Sequence, residues 1–464
     1  MFRKASWIVI VILLVAGLVL SACGSPATPA PAQPAPTQAA EPAEPVEPAE
    51  PAVEEPAPTE AAVEPAEPAA GEPVVLTFGN WRPDDVKQME IILAEFNKEY
   101  PQIQIKFDPT DPPEYDAAVR TQMQSGTGAD LYYLRSSGAS HQLYDEGHFV
   151  AIDDLPGLEN IIPEAIQTWT AKDGKVFGVG YIATSEGIYY NKDIFAELGL
   201  SIPQTWEELL TVAQAISDAG YEPFANASGD SWTIATLLMQ NWLPSVIGGA
   251  EGRMAYFNGE KCLNDEDFLQ AFQMFKDIAP FLPDGQEALS YYDSQQLFLL
   301  EQAAMWLGGS WDIPAFESEE PEFEWGIMAV PPPAGKPLFL EFELDAGVGI
   351  NSASQHIEEA KVFLSWLTTK QSAELLANEL PGFFPMTKDN ITTENEYANQ
   401  FLQLKNEAAG SDIRFYMSEG VPDSTTLFID NGIAVIKGSM TPEEATQSLY
   451  EGIASWHEGQ KNCK

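Results

Sequence analysis

Short apolar strands alternate with amphipathic helices over Val74–Leu134, and this alternation constrains the chain more than any other feature. Val74 to Phe78 reads as a buried strand, and Gly79-Asn80-Trp81-Arg82-Pro83 as the turn after it. Asp84 is placed to cap a helix in which Val86, Met89, Leu93, Phe96 and Tyr100 recur at helical spacing, and Pro101 stops it. Ile103, Ile105 and Phe107 alternate as a second strand, Tyr115 to Gln124 is helical, and Asp130 to Leu134 is a third strand. This order predicts an α/β fold with a parallel sheet and helices on both faces. Ligands of such sheets sit beyond the carboxyl ends of the strands. Asn80, Trp81 and Arg82 occupy that place after the first strand, and Arg135 to Ser137 after the third.

A second α/β unit begins near Gly178–Leu210. Val176 to Ile182 is a short strand, Thr184 to Gly187 an exposed turn, and Ile188 to Tyr190 another strand. Asn191-Lys192-Asp193 opens a helix that Gly199 closes, and Thr205-Trp206-Glu207-Glu208 forms a capping box. Further strands follow at Ala303–Leu307 and Trp325–Val330, and Asp345–Ile350 is a strand or a crossing. A second capping box, Thr441-Pro442-Glu443-Glu444, opens the last long helix.

The first 73 residues do not belong to either unit. Arg3 and Lys4 precede an apolar run, Ile8 to Leu20, which is shorter than the roughly 18 residues of a membrane span. Residues 1–22 therefore read as a secretory signal, and Leu20-Ser21-Ala22-Cys23-Gly24 resembles the bacterial lipobox, with Cys23 as the lipidated residue. From Gly24 to Gly71 there is no Leu, Ile, Phe, Trp or Tyr, so residues 23–73 are expected to be a disordered Pro/Ala/Glu-rich tether. Fully extended, such a tether reaches on the order of 150 Å. The net charge of −47 argues against nucleic acid as a partner. With Cys23 lipidated, Cys262 and Cys463 remain as a pair that could form a disulfide in an oxidising compartment; sequence gives no distance between them.

Signatures of catalysis are missing. Gly308-Gly309-Ser310-Trp311-Asp312 lacks the last glycine of a nucleophile elbow, and Gly126-Thr127-Gly128 lacks the third glycine of a dinucleotide fingerprint. No two of His141, His148, His356 and His457 stand at metal-ligand spacing. No catalytic residue, cofactor or metal is expected, although the abundance of carboxylates leaves a glycosidase pair open by counting alone. What remains is aromatic residues in the turns of α/β units. Sugars present flat C–H faces to aromatic rings and hydroxyls to polar groups at the rim. Trp81 and Trp311 suit this at strand ends, with Tyr181 behind them. Trp232 and Trp242 stand open between ligand and core, while Trp306, Trp325 and Trp366 lie in periodic apolar runs and read as core. Asp130 reads as support for a strand end near ligand, and Asp345 as a ligand carboxylate or a hinge hydrogen-bond partner.

Five stretches carry a family resemblance: Gly174 to Val179, Tyr189 to Asp193, Pro203 with Thr205 to Leu209, Ala303 to Trp311, and Pro381 to Met386. In this order they are similar to the extracellular solute-binding proteins that feed carbohydrate ABC importers, of the maltose-binding type, with Gly180 standing where Pro is frequent. The resemblance implies a two-lobed periplasmic-binding-protein-like fold, each lobe a mostly parallel sheet flanked by helices, with hinge crossings between them. It implies one lobe over 74–184 plus 348–400 and another over 187–343 plus 402–464. The second crossing falls near Glu343 to Gly347. The family's sugar-stacking Trp falls on Trp311, and the polar or aromatic group after the first strand on Trp81 with Asn80 and Arg82. The first crossing brings Tyr181 and Glu186 within reach of ligand. The expected ligand set is thus Trp81, Asn80, Arg82, Asp130, Tyr181, Glu186, Trp232, Trp311 and Asp345. The implied partners are a carbohydrate, the permease subunits of an ABC importer, and the membrane through the lipid on Cys23. The implied state is a monomer on the extracytoplasmic face of the membrane. Two readings stand against this: a cell-surface glycoside hydrolase, and a binding protein for a non-sugar solute.

Overall fold

The structure, a computed structural model, describes residues 73–463. The expected signal, Cys23 and the tether lie outside the described residues. The strands, in chain order, are β1 (Val74–Asn80), β2 (Ile103–Pro109), β3 (Leu131–Arg135), β4 (Val179–Thr184), β5 (Glu186–Asn191), β6 (Glu222–Phe224), β7 (Ala303–Gly309), β8 (Trp325–Met328), β9 (Phe339–Glu341), β10 (Glu343–Ile350), β11 (Phe384–Pro385) and β12 (Gly410–Asp412). They form a six-stranded sheet in the order β11-β4-β10-β3-β1-β2, a four-stranded sheet β6-β7-β5-β8, and a small pair β12-β9. Each larger sheet, with its helices, makes one lobe of an α/β fold.

Among the described residues, parallel pairing is confined to β1–β2, β1–β3, β6–β7 and the small β12–β9 pair. The expectation of mostly parallel sheets is corrected accordingly: both larger sheets are mixed. The reason is where each strand comes from. Helical crossovers force β1, β2 and β3 into one direction. β4 leaves the large sheet for the small one and β10 returns, so β10 runs antiparallel to β4 and β3.

The crossings are short. Ser185 alone separates β4 from β5, and Phe342 alone separates β9 from β10. Thr184, Ser185 and Glu186 are buried, not the exposed turn expected of this stretch. Ser185 N–H donates to Ser310 Oγ at 3.1 Å and its hydroxyl donates to the Glu341 carbonyl at 2.6 Å, so neighbouring segments cover the passage. The third passage ends before 400: helix Glu396–Glu407 packs on β8, with the Tyr397 ring stacked 3.5 Å from Trp325 and Gln400 accepting from Ile327 N–H at 3.0 Å. β10 lies wholly in the large sheet, which puts the second crossing at Phe342 rather than at Glu343–Gly347.

Glycines in the crossing strands make room for one indole. Trp169 is fully buried, and a Cβ on Gly180 or Gly347 would stand 3.1 or 2.7 Å from its ring. That packing gives Gly180 its reason.

Two expected caps differ. Asp84 lies in the 3-10 turn Pro83–Asp85 before helix Val86–Glu99, and neither it nor Asp85 caps that helix. Thr205 accepts from Glu208 N–H at 3.3 Å, but the Glu208 carboxylate turns to Gln204 N–H at 2.7 Å, so that box is half made. The Thr441–Glu444 box is complete. Cys262 and Cys463 are bonded, with Cα atoms 5.3 Å apart.

Candidate functional site

The carboxyl ends of β1, β3 and β4 in the large sheet face those of β6 and β7 and the start of β5 in the small one. Side chains from the two lobes touch there. After β1, Asn80 builds its own turn: Oδ1 accepts from Arg82 N–H at 2.8 Å and Nδ2 donates to the Phe78 carbonyl at 3.0 Å. Arg82 then forms a two-point pair with Asp85, at 2.7 and 2.9 Å. Burial raises the Asp85 carboxyl, and Arg82 opposes that rise. Arg82 also reaches the other lobe, with Nη2 3.4 Å from the Trp311 carbonyl.

Trp81 is only 5% exposed. Its ring meets Tyr115 and Tyr133 edge to face at 5.2 and 5.1 Å, and the Arg135 guanidinium lies 4.3 Å over it. A ring covered this way offers no open stacking face, so the expected sugar platform after β1 is corrected to a support for Arg135.

Trp311 is half-buried on the 3-10 turn after β7. Its indole N–H donates to the Tyr291 hydroxyl at 2.9 Å, and that hydroxyl donates to Asp312 at 2.6 Å. Asp312 also accepts from Gln295 at 2.9 Å and from Gly309 N–H at 2.9 Å. Burial pushes the Asp312 carboxyl up to about 7, against the pull of these hydrogen bonds. Trp232 packs on Tyr291 at 4.9 Å. Tyr292, exposed, donates across the lobes to Asp84 at 3.0 Å.

At the crossings, the Arg414 guanidinium lies among four carboxylates. It pairs with Glu186, lies 3.1 Å from Glu341 and 3.8 Å from Asp345, and donates its backbone N–H to Glu343 at 2.8 Å. Burial, reinforced by Glu186, holds the Glu341 carboxyl well above the usual range. Asp345 is therefore an ion-pair neighbour at the hinge. Tyr181 is buried in β4 beside Tyr133, 6.2 Å away, and its hydroxyl has no protein partner among the described residues.

Arg82, Trp311 and Trp232 thus come together around Tyr291 and Asp312, while Glu186 and Asp345 gather around Arg414. Asp130 is set apart. It precedes β3, at the end of the strand away from Arg135, and ties Thr77 N–H at 2.8 Å to Ser354 at 2.6 Å. Trp242 belongs to the core, against Trp206 and Phe275. Arg414, Tyr291 and Tyr292 escaped the sequence reading. A tandem tyrosine inside the Ser290–Asp293 capping box was a usable signal for the last two. Arg414 carried a fainter one: an arginine between apolar residues, in a chain with 23 basic and 70 acidic side chains, invites a buried partner.

A cavity of about 970 Å³ also opens between the lobes, lined by Ser136, Gln167, Phe342, Phe384, Lys405 and Tyr416 among others. It contains no tryptophan, and Lys405 Nζ occupies the face of Phe342 at 3.4 Å. The strand ends around Trp311 instead join a half-buried indole to the Arg82 guanidinium of the other lobe.

Two α/β lobes joined by three passages, with aromatic and charged side chains at facing strand ends, define a two-lobed solute-binding protein. The chain belongs to the bacterial extracellular solute-binding protein family, whose model matches residues 83–374. This family membership places it outside the cytoplasm. It is 27% identical over 312 residues to a multiple sugar-binding protein of Streptococcus mutans, covering 65% of this chain and 72% of the other. It is 23% identical over 410 residues to an arabinooligosaccharide-binding protein of Halalkalibacterium halodurans, covering 82% and 88%. Among solved structures it is similar to one from work on xylan utilization by Caldanaerobius polysaccharolyticus, with a TM-score of 0.71, 20% identity and coverage of 81% and 99%. It is also similar to RafE in complex with raffinose, with a TM-score of 0.67, 21% identity and coverage of 81% and 97%. No helix among the described residues is long and apolar enough to cross a membrane.

Proposed function

We propose that the chain captures a sugar or oligosaccharide between its lobes, leaves it chemically unchanged, and delivers it to the permease of an ABC importer. The observation that carries this reading is the meeting of Trp311 and Arg82 from opposite lobes at facing strand ends. The Trp311 indole would stack on a sugar face, with Trp232 beside it, while Arg82 and Asp84 offer polar contacts to hydroxyls. Rotation about Ser185 and Phe342 would part the lobes to admit ligand. The names of the relatives, a multiple sugar-binding protein and an arabinooligosaccharide-binding protein, support sugar as the ligand class.

The same proposal puts a lipid on Cys23, with residues 24–73 as a tether and a monomer at its end. Cys23→Ser should release the protein from membranes, and continued membrane retention would mean that something else anchors it. To test the function, the purified protein is titrated with raffinose, arabinotriose and xylotriose, following tryptophan fluorescence and analysing the recovered sugar. Saturable shifts with intact sugar support a receptor. Turnover of any glycoside beyond one equivalent would replace it with a hydrolase.

A further inference from the structure

Helix Tyr291–Leu299 begins with two tyrosines that face different tasks. Its start is fixed firmly: Ser290 N–H donates to Asp293 at 2.9 Å, Asp293 N–H returns to Ser290 Oγ at 3.1 Å, and Tyr291 N–H donates to Asp230 at 2.7 Å. Tyr291 is buried beneath Trp311, Trp232 and Trp306, and its hydroxyl is the one group that receives the Trp311 indole N–H. That hydroxyl can receive the indole proton while giving its own to Asp312, whose remaining bonds run to Gln295 and the Gly309 backbone. The relay therefore ends in the backbone of β7 itself. An indole has a single donor, so anchoring it fixes the ring's rotation about its stem. The next residue, Tyr292, faces outward and donates to Asp84 of the other lobe.

We infer that Tyr291 and Tyr292 form a positioning pair, in which Tyr291, backed by Asp312, sets the orientation of the Trp311 ring and Tyr292 registers lobe closure against Asp84. Neither tyrosine need touch the ligand. The pair couples the stacking surface to the closed arrangement, because one helix start holds both. This inference rests on the reading of Trp311 as the sugar platform.

The test uses the purified full chain with 15N-labelled tryptophan, the Trp311 indole signal being identified by its loss in Trp311→Phe. The indole signal is recorded without ligand, so it decides the relay whether or not a sugar binds. Tyr291→Phe should move that indole proton upfield and weaken binding of the tightest sugar among raffinose, arabinotriose and xylotriose by about five- to tenfold. Tyr292→Phe should leave the indole signal in place and weaken binding by about threefold or more. Should Tyr291→Phe fold poorly, Asp312→Ala, which removes the oxygens that accept from the Tyr291 hydroxyl, makes the same test of the indole signal and of affinity. An unmoved indole signal in Tyr291→Phe or Asp312→Ala overturns the relay. A moved signal with unchanged affinity overturns its role in binding, and unchanged affinity in Tyr292→Phe overturns the registration of closure. If Trp311→Ala leaves sugar binding intact, the platform reading falls, and this outcome is separate from the indole result.

Discussion

Trp311 holds its place because Gly309 has no side chain: a Cβ there would stand 2.3 Å from the indole. The ring is half-buried, in the middle of the turn Ser310–Asp312 and at the margin of the core, so its removal leaves the fully buried core side chains in place. Trp311→Ala is expected to weaken sugar binding by more than about tenfold, equivalent to about 1.4 kcal/mol, with an unchanged unfolding midpoint. Unchanged affinity in a titration would take Trp311 out of the site. Its neighbour Asp312 gives a pH signature. Burial raises its carboxyl from 3.8 to about 7, so between those values the folded chain holds a proton that the unfolded chain has lost. The stability this contributes is complete below about pH 4 and disappears as pH rises through about 7, with a slope of at most about 1.4 kcal/mol per pH unit. Asp312→Asn should flatten that part of the curve. Urea unfolding from pH 4.5 to 8 reads the difference between the two proteins, in which other buried carboxyls cancel, and parallel curves would refute it. Trp311 was legible in sequence because it follows a strand. Its meaning was not, because the Tyr291 hydroxyl that fixes it comes from 20 residues earlier in the chain. Trp81 shows the converse: its place after β1 was readable, but the Arg135 guanidinium that covers it arrives from another strand.

At the scale of elements, local pattern carried what local forces decide. β1, β2 and β3 alternate or run apolar as buried strands must, and Asn191 and Thr441 cap helices with the bonds their side chains allow. Strand direction is decided by where the chain has been, so the antiparallel course of β10 could not be read from its residues. Asp130 is misplaced for the same kind of reason: it precedes β3, and only the end of β3 reaches the cleft. The C-terminal helix Glu458–Lys461 is an element too short to stand alone. Two links hold it, the Cys262–Cys463 bond and buried Gln460, which donates to the Tyr256 and Lys261 carbonyls at 2.6 and 3.0 Å and accepts from Leu263 N–H at 3.0 Å. The covalent link closes a sequence separation of 201 residues, so it restrains the unfolded chain as well. Replacing both cysteines by serine should lower stability by about 2–4 kcal/mol. An unchanged denaturation midpoint would show that Gln460 alone suffices.

For the whole molecule, the decisive quantity is the balance between lobes in contact and lobes apart. One contact that joins the lobes lies at Gly382, in the loop before β11. The Ser310 hydroxyl of the small-sheet lobe donates to the Gly382 carbonyl at 2.5 Å, and a Cβ on Gly382 would stand 1.8 Å from the Ser310 carbonyl oxygen. That oxygen is backbone, so Gly382→Ala must shift backbone on one side of this contact, and displacement of one lobe from the other is the expected result. Gly382 also has φ +93°, which adds a backbone cost of roughly 1–2 kcal/mol for alanine. Gly174 separates the two effects, since it has φ +82° and nothing within 4 Å of its would-be Cβ. Both alanine variants should lose similar stability from the backbone. Only Gly382→Ala should raise the radius of gyration in solution scattering and weaken sugar binding by about fivefold or more, because a ligand that bridges the lobes must then draw on its own binding energy to close them. Equal scattering and equal affinity in the two variants would show that the contact at Gly382 does not govern closure.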